Sequence, residues 1–114
     1  MKLGFADIGQ VAVTMAAEES VKAGMAVGMK SAGTVGICAD GTGVCGVALS
    51  AEDGAAAVQV KGFVTVGYSG GAPGLGMVKL SGDGSGKVKT DDTAGTAVLV
   101  VEVDETASTA LICL

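Results

Sequence analysis

A chain of 114 residues carries one domain and is too short for two of ordinary size. Its net charge of −5, with seven scattered lysines and no arginine, argues against a nucleic-acid-binding domain, which needs clustered cations against phosphates. Histidine is absent too, so the commonest general base and metal ligand is missing and catalysis would rest on carboxylates, lysine, cysteine or Tyr68 alone.

Hydrophobic residues make up 49% of the chain and aromatic ones 3%, so the core must be assembled from Val, Ala, Leu and Met, each burying little area. With a mean hydropathy of +0.59 and 20 glycines, part of the apolar surface is expected to face a partner.

The first ten residues, MKLGFADIGQ, read as an N-terminal arm, and residues 11–114 as a single β domain. Asp7 and Gln10 interrupt the apolar run that a secretory leader requires, and no stretch approaches the roughly twenty apolar residues of a membrane span. Val11, Val13 and Met15 alternate as in a strand. Ala16 to Ser20 fits a helical turn, and Gly24 turns the chain into a strand from Met25 to Met29. Thr34 to Ala39 forms the next, and Asp40-Gly41 gives a two-residue turn signal predicting a hairpin with the strand that starts at Val44.

From Val44 to Val66 the pattern predicts a three-stranded meander. Val44 to Leu49 is apolar on both faces, Ala56 to Lys61 alternates like a half-buried strand, and Phe63 to Val66 follows through Gly62. Gly54 supplies the positive φ that closes the polar turn after Ser50. Tyr68 to Gly74, with Pro73 and a turn at Gly74, is a surface loop that divides the chain into two unequal parts. Gly76 to Leu80, an edge strand from Lys87 to Thr90, Ala97 to Val103 and Ala110 to Leu114 complete nine or ten strands. The predicted fold is all-β, a small β-barrel or β-sandwich of short strands.

A weak internal echo runs through the chain. Ala23-Gly24-Met25-Ala26-Val27 is answered by Pro73-Gly74-Leu75-Gly76-Met77, and Val47 to Glu52 by Val101 to Thr106.

Candidate chemistry is sparse. Gly82 to Val88 invites comparison with a phosphate-binding loop, but Ser81 stands where its first glycine belongs and Val88 where its magnesium-binding hydroxyl belongs. Asp40, Asp83, Asp91, Asp92, Asp104 and Glu105 lack the spacing of a calcium loop and read as turn formers. The pairs Glu18-Glu19, Glu52-Asp53 and Asp91-Asp92 lie in predicted loops, where solvent keeps carboxylates ordinary. Cys45 has no histidine to activate it, and Cys38, Cys45 and Cys113 lack zinc spacing. They read as small buried hydrophobes, with a Cys38–Cys45 disulfide as the alternative. These residues predict neither an enzyme nor a bound cofactor or metal. They predict a β-scaffold that sticks to other proteins.

Several segments carry a resemblance. Gly9 to Thr14, Val21 to Val27, Gly46 to Leu49 followed by Gly54, Val58 to Val60 and Gly62 to Val66 resemble, in this order, the small capsid decoration, or cement, proteins of tailed bacteriophages. Gly74 to Leu80, Gly86 to Val88 and the hydrophobic carboxy-terminal strand are similar too. Met25 departs from the family, where an acidic residue often follows the glycine, and Val98 to Val101 stands where a second "Gva" segment is expected. The resemblance implies a mainly-β homotrimer on the outside of the virion head, made in the host cytoplasm, that clamps neighbouring major capsid subunits. Along the arm it makes Met1, Lys2, Leu3, Phe5, Ile8 and Gln10 candidate capsid contacts. Tyr68 is a further one, unless its ring caps the protein's own core. The runner-up is a carbohydrate- or surface-binding module of a phage tail or bacterial adhesin, disfavoured by the scarcity of aromatic platforms.

Overall fold

The structure, a computed structural model, describes residues 9–114. It is all-β, with ten strands and no helix among the described residues: β1 (Val11–Ala17), β2 (Ala26–Ser31), β3 (Thr34–Ile37), β4 (Gly46–Glu52), β5 (Ala55–Lys61), β6 (Phe63–Gly67), β7 (Gly76–Gly82), β8 (Val88–Thr90), β9 (Thr96–Asp104) and β10 (Thr109–Cys113).

The first five strands close into a barrel, and the last five form a second sheet in the order β6-β10-β9-β7-β8. Followed around from β1, the barrel runs β1-β5-β4-β2-β3, so the second sheet repeats it strand for strand. The second sheet is not a closed barrel, but it carries a trace of the same closure. In the barrel β1 pairs in parallel with β3 at Ala16–Thr34 and Ala17–Val35, and in the second sheet a single parallel bridge joins Tyr68 to Val88.

The ladders fix which residues correspond. An extra residue interrupts β4 against β5 at Leu49 and β9 against β10 at Val101, the same β-bulge in both hairpins. Superposing the bulges makes Val47 the counterpart of Leu99, Ala48 of Val100, Val58 of Ile112 and Gln59 of Cys113. One strand further on each side, Met15 answers Val66, and Ala26 answers Met77. The echo in the sequence is thus an architectural repeat whose register differs from the sequence reading: Ala26 matches Met77, not Gly76, and Val47 matches Leu99, not Val101. The β2–β3 and β7–β8 hairpins differ, because the first turns through Ala32-Gly33 and the second through residues 83–87.

The buried side chains fall in two clusters. Inside the barrel lie Val21, Val27, Val35, Ala48, Ala56 and Val58, the inward set of alternating strands. The second cluster gathers Val64, Val66, Tyr68, Leu80, Val88, Val100, Ala110 and Ile112, and takes in Ala26 and Val47 from the outer wall of the barrel. β4 is therefore covered on both faces, as its sequence implies, with Ala48 turned inward and Val47 pressed against the second unit.

Four expectations are corrected. Asp40-Gly41 does not close a hairpin: β3 pairs with β1 and β2, while β4 pairs with β2 and β5. Gly41 does turn with φ +77, but its N–H donates to the Gly82 carbonyl of the second unit at 3.0 Å. The meander stops after β5, since β6 pairs with β10. Gly62, at φ +96 and against the backbone of Gly9, swings the chain from one unit to the next, so the division falls there and the Tyr68–Gly74 loop lies within the second unit. Ala16 and Ala17 belong to β1, not to a helical turn.

Candidate functional site

The outer face of the second sheet is the candidate. Strand alternation that sends Val64, Ile112, Val100 and Val78 toward the core sends Phe63, Cys113, Leu99 and Met77 to the opposite side. These four stand in one row across β6, β10, β9 and β7, each paired with the next. Leu111 and Val101 extend the patch on neighbouring positions, and Leu75 stands just before β7. Met77 is 68% exposed and Leu75 71%, while Phe63, Leu99, Val101, Leu111 and Cys113 are half-buried. A sheet with one wet face ordinarily alternates apolar with polar residues, and along this row the outer side is apolar too, with the exposed Thr65 and Lys79 at the next positions of the same face. Beside the row, Ala72, Pro73, Leu75, Val101 and Val103 line a groove of about 390 Å³ whose rim carries Glu102 and Glu105.

The other acidic groups shape turns. Asp91 Oδ1 accepts the N–H groups of Thr93 (3.1 Å) and Ala94 (2.9 Å), while its Oδ2 accepts the hydroxyl of the fully buried Ser81 at 2.8 Å. The Ala94 N–H and the Ser81 hydroxyl hold the Asp91 carboxyl below its ordinary value. Asp104 Oδ1 accepts from Thr106 and Ala107 in the same way. In the glycine-rich loop, Asp83 Oδ1 takes the N–H groups of Ser85 (2.8 Å) and Lys87 (3.1 Å). Burial pushes this carboxyl up, but these N–H groups and the hydroxyls of Ser69 and Ser85 outweigh it and hold the pKa at about 2. The donors that a phosphate would need are thus turned onto the protein's own anion. Lys89 is ion-paired with Asp40 across the two units.

An open recess at one end of the barrel is lined by Glu18, Glu19, Lys22, Glu52 and Asp53 among others. Among the described residues no group of three or more cysteines and carboxylates is placed to hold a metal ion. The three cysteines are free thiols, so Cys38 and Cys45 are not joined. Cys38 is buried with its Sγ against Thr42 Oγ1 (3.2 Å), and burial, followed by the neighbouring Cys38, pushes the Cys45 thiol up. No helix among the described residues is long and apolar enough to cross a membrane.

Of the residues singled out by sequence, Met1, Lys2, Leu3, Phe5 and Ile8 lie outside the described residues. Gln10 is exposed just before β1. Tyr68 is 6% exposed and sits in the second cluster, so its ring caps the core and does not reach the outer row. Gly24, Gly41 and Gly54 take φ of +88, +77 and +78. Gly74 does not: the left-handed glycine within that loop is Gly70, at φ +73, and Gly76, at the start of β7, takes φ +91. The outer row itself escaped the sequence reading, although the unbroken apolar run Ala97 to Val101 is the same two-faced signal that marked Val44 to Leu49.

Comparison of the chain with family models, curated proteins and solved structures gives no match.

Proposed function

We propose that this chain is an auxiliary decoration protein of tailed-phage heads, which binds the outside of the assembled shell and stabilises the major capsid lattice without catalysis. The observation that carries the reading is the apolar row Phe63–Cys113–Leu99–Met77, a sheet face built to be covered by protein. The segments that carry the resemblance support it: Val11 to Thr14, Ala26-Val27, Gly46 to Leu49, Val58 to Val60 and Phe63 to Val66 lie in β1, β2, β4, β5 and β6, the framework of the repeat. A ligand that binds only the assembled lattice stabilises it by mass action. The carbohydrate reading gains little, because, of the described aromatic residues, Tyr68 is in the core and Phe63 is half-buried within the apolar row.

Co-sedimentation tests the proposal. The purified protein is expected to pellet with mature expanded heads and not with unexpanded heads or free capsid subunits. Failure to bind any head form overturns it.

A further inference from the structure

In the first unit, the face that corresponds to the outer row is covered by the chain itself. Ala26 and Val47, the counterparts of Met77 and Leu99, are 0% and 1% exposed because the cluster of the second unit packs on them. In the second unit the far end of the row is open, with Met77 68% exposed. The near end begins at Phe63, directly after Gly62.

Residues 1–8 join the fold at that near end. A Cβ on Gly62 would stand 2.6 Å from the Gly9 carbonyl and 2.8 Å from the Gln10 nitrogen, so the two strands of chain touch there. Val11 pairs with Lys61, and β1 runs antiparallel to β5. Followed back from Val11, the chain therefore passes the end of β5 toward Gly62 and the Phe63 end of the row.

The chemistry of this segment, MKLGFADI, matches the surface ahead of it. Met1, Leu3 and Phe5 alternate with Lys2 and Gly4, so an extended segment offers large apolar side chains to one side. On the sheet, Cys113 pairs with Phe63, Leu111 shares its side of β10, and Glu102 stands opposite Leu111 on β9. Glu102 is two strand spacings from β6, about 10 Å, and the extended chain from Gly9 back to Lys2 spans up to about 24 Å. Lys2 thus has the reach to meet the acidic rim of Glu102 and Glu105. The one acid of the segment, Asp7, falls at its Gly9 end.

We propose that residues 1–8 fold back on their own chain, Leu3 and Phe5 covering Phe63, Cys113 and Leu111, and Lys2 reaching the Glu102–Glu105 rim. The occupant is the arm of the same chain, because its tether at Gly9 lies beside the row and sets a high effective concentration. Met77 and Leu75 stay open, which leaves the far half of the patch to the capsid contact proposed above. The test uses no capsid, so either reading can fail alone.

Cys113 is the reporter, a free and half-buried thiol under the path of the arm. The full-length protein is labelled with a thiol reagent and each cysteine is followed by mass spectrometry. Phe5→Glu is expected to raise the rate at Cys113 about tenfold or more, as loss of a buried ring would. Cys45, which packs against the barrel cluster, is expected to keep its rate. A native strand spectrum is confirmed first, and Leu3→Glu takes the place of a misfolded variant. A second measurement needs no variant: a carbodiimide, which joins an amine directly to a carboxylate, is expected to link Lys2 to Glu102 or Glu105 in the wild type. When equal amounts of ordinary and isotopically heavy protein are unfolded, mixed and refolded beforehand, the linked peptides are expected to be wholly light or wholly heavy. Mixed pairs overturn the inference, since they put the arm on a second copy. So does the absence of the Lys2 link, or a Cys113 rate unchanged in the folded variant.

Discussion

Gln59 donates from Nε2 to the carbonyl oxygen of Phe63 at 3.0 Å and, with its second amide hydrogen, to that of Lys61 at 3.0 Å. One side chain thereby satisfies the backbone on both sides of Gly62, where the chain leaves the barrel for the second sheet. Gln59→Leu keeps the volume and orphans both carbonyls. It is expected to destabilise the fold by about 1–3 kcal/mol, read from the urea midpoint at unchanged slope.

Gly62→Ala is expected to do more damage. The new Cβ would stand 2.6 Å from the Gly9 carbonyl, which is backbone and cannot swing away, at a φ of +96 that suits only glycine. A loss above about 2 kcal/mol is expected in thermal or urea unfolding. Gly54→Ala, at φ +78 with open space around it, should cost about 1 kcal/mol, which separates conformational strain from collision.

Acid should weaken the protein through Asp83. Its carboxyl titrates at about 2 when folded against an ordinary 3.8, so its contribution is complete above the ordinary value and is lost as pH falls toward 2. The residue is partly exposed, so water screens much of the effect. Asp83→Asn should flatten the pH dependence of the melting temperature between pH 4 and pH 2, estimated from the carboxylate range, and leave neutral behaviour near that of a lost turn. An unchanged acid slope would count against this assignment.

The thiols should differ in reactivity. Cys38 is fully buried, so a thiol reagent at pH 8, chosen near the ordinary thiol pKa, should reach it only after unfolding. Cys45 is half-buried with its pKa raised, so it should react more slowly than free glutathione. Mass spectrometry of the labelled protein identifies the order.

Much of the fold was legible because strand alternation and glycine turns are local signals. The strands over Ala97–Val103 and Ala110–Leu114, the turn at Gly54 and the two-faced burial of Val44–Leu49 could be read from adjacent residues. Which strands pair could not. Nothing near Phe63 says that β6 leaves β5 for β10, since one glycine with positive φ reverses an otherwise continuous apolar run. Asp40-Gly41 has good hairpin chemistry, but β2 takes the place between β3 and β4. The outer row was hidden for a related reason. Its meaning depends on matching Met77 to Ala26, and the bulges at Leu49 and Val101 that set the match are features of the ladder, not of composition.

The arrangement of the two units also bears on how the chain leaves the ribosome. The barrel is complete once Lys61 has emerged, but the second unit that covers the wall of Ala26 and Val47 is complete only when β10 is made. At about 5–20 residues per second, that greasy wall lacks its full cover for several seconds in every nascent chain. Polysomes crowded with such half-made molecules are where chaperones should find this protein, and slowing translation after codon 61 should raise the fraction that aggregates.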